Sequence, residues 1–136
     1  MLNLTRKDLS KYRYEKSKDM LSSAKRDYDA KDYASANNRA YYCVFHAIRA
    51  VLALDGLDFK KHSMVIATFG KDYLKTGKID RSFGALISSA SLIRNRSDYE
   101  DFFICSIEDT QRLIDGAEKF LAEVEHFLEV AFATEE

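Results

Sequence analysis

The absence of proline is the feature of this 136-residue sequence that most constrains its fold. Proline inside a helix removes a backbone hydrogen bond and clashes with the preceding turn, so a chain without it can form long, unbroken helices. Only five glycines are present and 46% of the residues are hydrophobic, which leaves few helix-breaking positions and enough apolar material for a core. We therefore predict a single all-α domain over residues 1–136.

Apolar residues recur with the helical period of about 3.6 in five segments. The predicted helices span residues 5–28, 33–54, 63–74, 80–99 and 106–133. Thr5 with Asp8, and Ser106 with Asp109, have the spacing of a capping box at a helix start, and Gly56 is a stop signal. These lengths predict an antiparallel up-and-down bundle of four long helices plus a short connecting helix.

The apolar stripes of the first and last helices differ in width. The stripe of the first helix is thin and predicts five buried residues: Leu9, Tyr12, Met20, Leu21 and Ala24. The stripe of the last helix is broad and consists of Ile107, Leu113, Ile114, Ala117, Phe120, Leu121, Val124, Phe127, Leu128 and Val130. A stripe this broad is typical of a helix that is covered on two sides, as in a bundle.

Charge and composition exclude several kinds of function. The net charge of −1 gives no global attraction to nucleic acid or membranes, so any RNA contact must come from a local patch. No apolar run approaches the roughly 18 residues of a membrane-spanning helix and no signal pattern is present, so we expect a cytoplasmic protein. Cys43 and Cys105 lack metal-type spacing and are expected to be buried thiols. Three scattered histidines predict no metal site, and no cofactor is expected.

Polar side chains line the second helix opposite an apolar arc that is centred on Val44 and Ile48. The polar arc consists of Ser35, Asn38, Arg39, Tyr42, His46 and Arg49. It is either a solvated face, which every amphipathic helix has, or the lining of a cleft or an interface. Under the second interpretation the candidate ligand-binding residues are Asn38, Arg39, Tyr42 and His46.

The stretch "RNRSDYED", residues 94–101, ends the fourth predicted helix. Arg94 lies at the edge of the apolar arc of that helix, and Asp98 follows at i+4, within reach of the guanidinium. The pair is either a helix-end ion pair, which contributes under about 1 kcal/mol when exposed, or part of a site. In a site, a guanidinium that is held by a carboxylate can bind phosphate with its planar fork.

A basic stretch precedes the third predicted helix, where His62 follows Lys60 and Lys61 in "KKHSMVI". The N-terminus of a helix favours anions, so His62 is a further candidate ligand-binding residue. A solvated basic loop is the alternative. His126 lies among glutamates in the last helix and is interpreted as a surface residue.

Three sequence motifs occur in a fixed order before the amphipathic last helix: "NNRAYYCVFHAIRAVLALDG", "KKHSMVIATFGKDYLKTG" and "LIRNRSDYED". Together with that helix they extend over about residues 15–130. The set resembles the HEPN superfamily of small prokaryotic helical proteins. The resemblance implies a bundle of four or five helices, commonly a homodimer, and frequent pairing with a minimal nucleotidyltransferase encoded alongside. Many such pairs are toxin–antitoxin modules in which the HEPN protein is the toxin, and ribonuclease members cleave RNA without metal.

The sequence departs from the ribonuclease members at one position of their active site. In those members four to six residues separate an arginine from the histidine that follows it. Arg94 matches the arginine, but positions 99–101 hold Tyr99, Glu100 and Asp101. Tyrosine, with an ordinary pKa of about 10, is a poor base at neutral pH. A histidine from elsewhere, His46 or His62, can take the role only if the fold brings it near Arg94.

The resemblance also makes Tyr99 the nearest candidate for adenylylation by a nucleotidyltransferase.

Three hypotheses follow from the sequence. The chain is a toxin subunit that acts on RNA, in which Arg94 grips phosphate, Asp98 orients Arg94 and Tyr99 lines the cleft. Alternatively, it is a non-catalytic HEPN partner that dimerises and binds a nucleotidyltransferase or a nucleotide. In the third hypothesis it is a helical scaffold, and "RNRSDYED" is a structural ion-pair cluster.

Overall fold

The computed structural model describes residues 5–134 and has five α-helices and no strand in that range. The helices are α1 Arg6–Asp29, α2 Tyr33–Leu54, α3 His62–Phe69, α4 Phe83–Tyr99 and α5 Ile107–Thr134. A π-helical segment, Gly70–Leu74, continues α3. The predicted all-α class is therefore confirmed.

Contacts between side chains show that packed long helices run in opposite directions. Ser10 of α1 donates to the carbonyl of Ala50 in α2, and Arg13 donates to that of Arg49. Residue numbers increase along α1 as they decrease along α2, so the two helices are antiparallel. The same relation joins α2 to α4 and α1 to α5, through the pairs Asn38–Asp98 and Tyr42–Arg94, and Tyr14–Glu125 and Lys25–Glu118. The bundle is up-and-down as predicted, and α3 is the short connecting helix.

Helix ends follow three of the signals in the sequence. At the start of α1, the Thr5 hydroxyl accepts a hydrogen bond from the Asp8 amide, and the Asp8 carboxylate accepts one from the Thr5 amide. Gly56, at φ +70°, ends α2 with the two backbone hydrogen bonds of a Schellman motif. The Ser106 hydroxyl accepts from the Asp109 amide at the start of α5.

Two predicted boundaries differ from the structure. Helix α4 begins at Phe83 and not at residue 80, because the Asp80 carboxylate accepts a hydrogen bond from the Ser82 amide and the backbone forms a turn there. The third predicted helix is α-helical only as far as Phe69. Beyond it the Lys75 amide donates to the Gly70 carbonyl five residues back, which is the π-helical pattern.

Helix α2 lies at the centre of the bundle. It contacts α1, α3, α4 and α5, and fourteen of its 22 residues are buried. One amphipathic face cannot hold so many, so neighbouring helices cover α2 on more than one side. The polar residues of α2 therefore face other helices as well as solvent.

The buried stripe of α1 was predicted correctly at Leu21 and Ala24 and wrongly in the first half of the helix. Leu9 and Tyr12 are exposed, and the stripe instead consists of Ser10, Arg13, Ser17, Leu21 and Ala24. Small side chains at three positions seven residues apart allow the α1 backbone to approach α2 closely. There the Ser10 hydroxyl donates to the Ala50 carbonyl at 2.7 Å, so a polar residue is satisfied inside the contact.

The broad stripe of α5 is confirmed except near its ends. Ile107 and Val130 are about half exposed. Cys43 is buried as expected, whereas Cys105 is only partly buried, since it lies in the loop before α5. Its sulfur accepts a hydrogen bond from the Thr110 hydroxyl at 3.4 Å.

We expect Ser10→Ala to lower the free energy of unfolding by about 0.5–1.5 kcal/mol, because it removes a buried hydrogen bond between α1 and α2. Ser22→Ala in the same helix is the matched control, since Ser22 is exposed, and it should change stability by less than about 0.5 kcal/mol. Denaturant unfolding of the three proteins measures the difference. Equal midpoints and slopes would show that the Ser10 contact contributes nothing.

Candidate functional site

Arg94 reaches from α4 toward α2 and lies among tyrosines. Its Nη2 donates to the Tyr42 hydroxyl at 3.2 Å. The guanidinium carbon lies 5.3 Å from the centre of the Tyr41 ring, 5.5 Å from that of Tyr42 and 5.6 Å from that of Tyr99. Aromatic rings attract a cation at these distances, so the guanidinium is held in place by three rings.

Asp98 and Asn38 form the second wall of this site. The Arg94 Nε atom lies 3.0 Å from Asp98 Oδ2, and the Asn38 side-chain amide donates to the same oxygen at 3.0 Å. The Arg94 N–H at Nε is not aligned on that oxygen, so the contact is an ion pair and not a hydrogen bond. The Arg94 side chain is 18% exposed, so the pair is more than half shielded from solvent.

His62, the first residue of α3, meets the same tyrosine pair. Its Nδ1 lies 3.0 Å from the Tyr41 hydroxyl, and its ring stacks on Phe45 with centroids 4.0 Å apart. The Tyr42 ring meets it edge-on at 5.9 Å. The fold therefore brings one histidine into contact with two tyrosines that Arg94 also contacts.

The charge state of His62 follows from these surroundings. Burial lowers the pKa of His62 first, and the positive charges of Arg94 and Arg49 lower it further. Burial also raises the pKa of Tyr41, so the hydroxyl of Tyr41 keeps its proton. At neutral pH the imidazole is neutral and able to accept a proton at one nitrogen.

His46 occupies a different environment, although it lies near Tyr42. It is 8% exposed, and its Nδ1 has no hydrogen-bond partner among the described residues. Burial lowers the pKa of His46 to about 4, with help from the positive charges of Lys16 and Arg49. His46 is thus a buried neutral histidine that packs beneath the site.

The polar arc of α2 is not a solvated face, because only Arg39 of its six residues is exposed. Asn38 bonds Asp98 and Tyr42 bonds Arg94, whereas the Arg39 side chain is exposed. Tyr99 is 73% exposed beside Arg94, so its hydroxyl is accessible.

Sequence reasoning missed two residues that shape the site. Neither Tyr41 nor Phe45 was among the candidate residues. The signal for Tyr41 was available, because a tyrosine predicted to be buried needs a partner for its hydroxyl. That partner is His62. No comparable signal exists for Phe45, whose contact with His62 depends on the loop that carries α3.

Among residues 5–134, no group of histidine, cysteine and acidic side chains is arranged to hold a metal ion. In the same range no helix combines the length and the apolar composition that crossing a bilayer requires.

Comparison with known proteins identifies the family. The family model described as "HEPN domain" matches residues 10–127. A "UPF0332 protein" of Thermotoga maritima is 36% identical over 95 residues, which cover 70% of this chain and 72% of the relative. A Methanocaldococcus jannaschii protein named "Putative toxin" is 33% identical over 110 residues, 76% of this chain and 82% of the relative. A second protein of that organism with the same name is 28% identical over 114 residues, 84% and 78% of the two chains.

The resemblance seen in the sequence is thereby confirmed. This chain belongs to the HEPN domain family.

The buried His46 predicts a pH-dependent stability. The unfolded chain binds a proton at His46 near pH 6.5, whereas the folded chain binds it only near pH 4. The folded state is therefore most stable, with respect to this residue, above pH 6.5, and it loses stability as the pH falls from 6.5 to 4. We expect His46→Leu to reduce the loss of unfolding free energy between pH 7 and 5 by about 1–2 kcal/mol. His126→Leu, at an exposed position, should keep the wild-type dependence. Parallel denaturant titrations test this, and an unchanged pH dependence in His46→Leu would contradict it.

Proposed function

We propose that this HEPN-domain chain is the toxin subunit of a toxin–antitoxin module and that it acts on RNA through Arg94 and His62. The observation that carries the proposal is the convergence of a guanidinium from α4 and an imidazole from α3 on Tyr41 and Tyr42 of α2. Two relatives that carry the name "Putative toxin" support the toxin role.

In the proposed reaction, His62 acts as the base. When Nδ1–H donates to the Tyr41 oxygen, Nε2 carries no hydrogen and can remove the proton of a ribose 2′-hydroxyl. The 2′-oxygen forms a bond to the adjacent phosphorus as the bond from phosphorus to the 5′-oxygen of the next nucleotide breaks. The departing 5′-oxygen takes a proton from water. Arg94 stabilises the negative charge that develops on the phosphoryl oxygens.

The neighbours of Arg94 prepare it for that role. Asp98, itself held by Asn38, fixes one side of the guanidinium, and the Tyr42 hydroxyl fixes another. A guanidinium that is already oriented loses less side-chain entropy when it binds a phosphate. We propose Asp98, Asn38 and Tyr42 as positioning residues for Arg94.

We further propose that a minimal nucleotidyltransferase is the partner of this chain and that Tyr99 is the residue it modifies. The Tyr99 side chain is exposed and its ring lies 5.6 Å from the Arg94 guanidinium. A nucleotide attached to the Tyr99 hydroxyl would bring a phosphate near Arg94 and compete with RNA for it.

The alternative function is that of a non-catalytic partner that binds a nucleotidyltransferase or a nucleotide. The observation that favours it is the lack of a histidine after Arg94. In that case Arg94 would bind a phosphate without cleavage, and His62 would serve only as a packing residue on Phe45.

A second copy of the chain is the proposed occupant of an exposed apolar surface next to the site. Large apolar side chains after Arg94 are strongly exposed: Tyr99 73%, Phe102 99%, Ile104 88% and Ile107 48%. Phe102 also adopts φ +64°, which a bulky residue rarely does. Such side chains mark interaction surfaces, and the commonest assembly of a small protein is a symmetric dimer.

We expect Arg94→Ala to reduce RNA cleavage and growth arrest at least about 10²-fold, because it removes the charge that faces the phosphoryl oxygens. His62→Ala should cost about 10²–10⁴-fold through loss of the base. Arg96→Ala and His126→Ala are the matched controls, since both side chains lie outside the site and are exposed. Induced expression at equal soluble yield and gel analysis of RNA measure both effects.

Each outcome of that experiment selects one function. Full activity of a soluble Arg94→Ala or His62→Ala protein would exclude the proposed roles of these residues. A wild type that neither arrests growth nor cleaves RNA would favour the non-catalytic partner. Co-purification of a co-expressed nucleotidyltransferase with the wild type would then support that alternative.

We expect the double change Phe102→Ser and Ile104→Ser to weaken dimerisation at least about tenfold, because it removes two apolar anchors from the proposed interface. Tyr12→Ser is the matched control, since Tyr12 is an exposed aromatic residue on α1. Sedimentation velocity over a concentration series measures the dissociation constant. A wild type that remains monomeric, or an unchanged constant in the double variant, would contradict the proposed dimer.

A further inference from the structure

A second cleft adjoins the Arg94 site and shares His62 with it. The cleft has a volume of about 350 Å³ and lies between α2 and the loop that leads into α3. Its lining consists of Phe45, Arg49, Asp58, Phe59, Lys60 and His62. Nothing in the reaction proposed above uses Arg49, Phe59 or Lys60.

The cleft carries an excess of positive charge. Asp58 receives hydrogen bonds from Arg49 at 3.2 Å to each oxygen, and from Arg13 at 3.0 Å. Two guanidinium groups therefore share one carboxylate, and Lys60 adds a third cation at the rim. Burial and the charge of Arg49 lower the pKa of Arg13, although Asp58 opposes this shift. One carboxylate does not neutralise the cluster.

The cations are held in place, as a binding site requires. The Arg13 side chain is 8% exposed and also donates to the Arg49 carbonyl at 3.2 Å, which ties α1 to α2 beneath the cleft. Asp58 in turn accepts from the Phe59 amide, so the loop is fixed against both arginines. The Nε of Arg49 is buried and has no hydrogen-bond partner among the described residues. That buried N–H cannot reach a ligand, but the Arg49 side chain as a whole is 27% exposed, and its guanidinium, held by Asp58, borders the cleft.

The shape and composition of the cleft suit one unit of a nucleic acid. A guanidinium and an ammonium can both donate charge-assisted hydrogen bonds to a phosphate, and the guanidinium also matches its geometry. The ring of Phe59 supplies an apolar wall, which is the kind of surface on which bases of single strands pack. Because His62 borders both the cleft and the Arg94 site, a strand bound at Arg94 can continue into the cleft.

We propose that the cleft is a second nucleotide subsite, in which Arg49 and Lys60 bind a phosphate and Phe59 contacts the attached base or ribose. The inference rests on the proposed action on RNA, because the bound phosphate would belong to the same strand as the phosphate at Arg94. A free mononucleotide offers the same chemistry, so the test includes both ligands.

The test is binding of single-stranded RNA that carries 2′-O-methyl groups, which no 2′-hydroxyl attack can cleave. Lys60→Gln removes one cation from the rim of the cleft and leaves the Arg13–Asp58–Arg49 cluster intact. Lys71→Gln is the matched control, because Lys71 is an exposed lysine in the π-helical segment that continues α3. Fluorescence anisotropy over a series of salt concentrations gives the affinities, and calorimetry with AMP gives the binding of the free nucleotide.

We expect Lys60→Gln to reduce the slope of log K against log salt by about 0.7 and the affinity for RNA by about fivefold near 0.1 M salt, as loss of one phosphate contact in a single strand requires. Lys71→Gln should leave both quantities unchanged. Weaker AMP binding with unchanged RNA binding would overturn the assignment to the RNA strand.

Unchanged binding of both ligands in Lys60→Gln would overturn the subsite and leave the proposed function standing. The converse result is also recognisable. In that case the wild type would bind AMP but no RNA, and Lys60→Gln would bind AMP more weakly. This result would refute the proposed function and support the phosphate site.

Discussion

The burial of α2 on more than one side is the constraint on which the rest of the structure depends. A helix in this position must place some polar side chains inside the bundle, and most buried polar groups have hydrogen-bond partners. Tyr41 forms a hydrogen bond with His62, Tyr42 with Arg94, and Asn38 with Asp98. The candidate site is therefore the set of partners that a central helix requires, drawn from α3 and α4.

The same constraint explains why α1 is so polar. To cover α2 closely, α1 offers small residues at Ser10, Ser17 and Ala24 and places one buried guanidinium, Arg13, between them. Arg13 crosses to the α2 backbone and to Asp58, and so fixes the loop that precedes α3. The position of His62 consequently depends in part on contacts that α1 makes with α2 and with the loop before α3.

The fold was predictable from the sequence where local signals decide it. The capping residues Thr5 and Asp8, the stop at Gly56 and the period of α5 depend only on near neighbours in the chain, and each was predicted correctly. The first half of the α1 stripe was wrong because Ser10 and Arg13 are buried through partners in α2 and the loop after it. The contact of His62 with Tyr41 could likewise not be predicted from the sequence, because the two residues lie in separate helices joined by a loop.

The place of the histidine bears directly on the proposed chemistry. Proton transfer and phosphate binding require an imidazole and a guanidinium to be close in space, and closeness within one helix is only one way to achieve this. Here the two groups come from α3 and α4 and meet on the rings of α2. The lack of a histidine after Arg94 is therefore weaker evidence against cleavage than the sequence alone implied. Burial and the nearby cations of Arg94 and Arg49 favour the neutral imidazole, which is the form that a base needs.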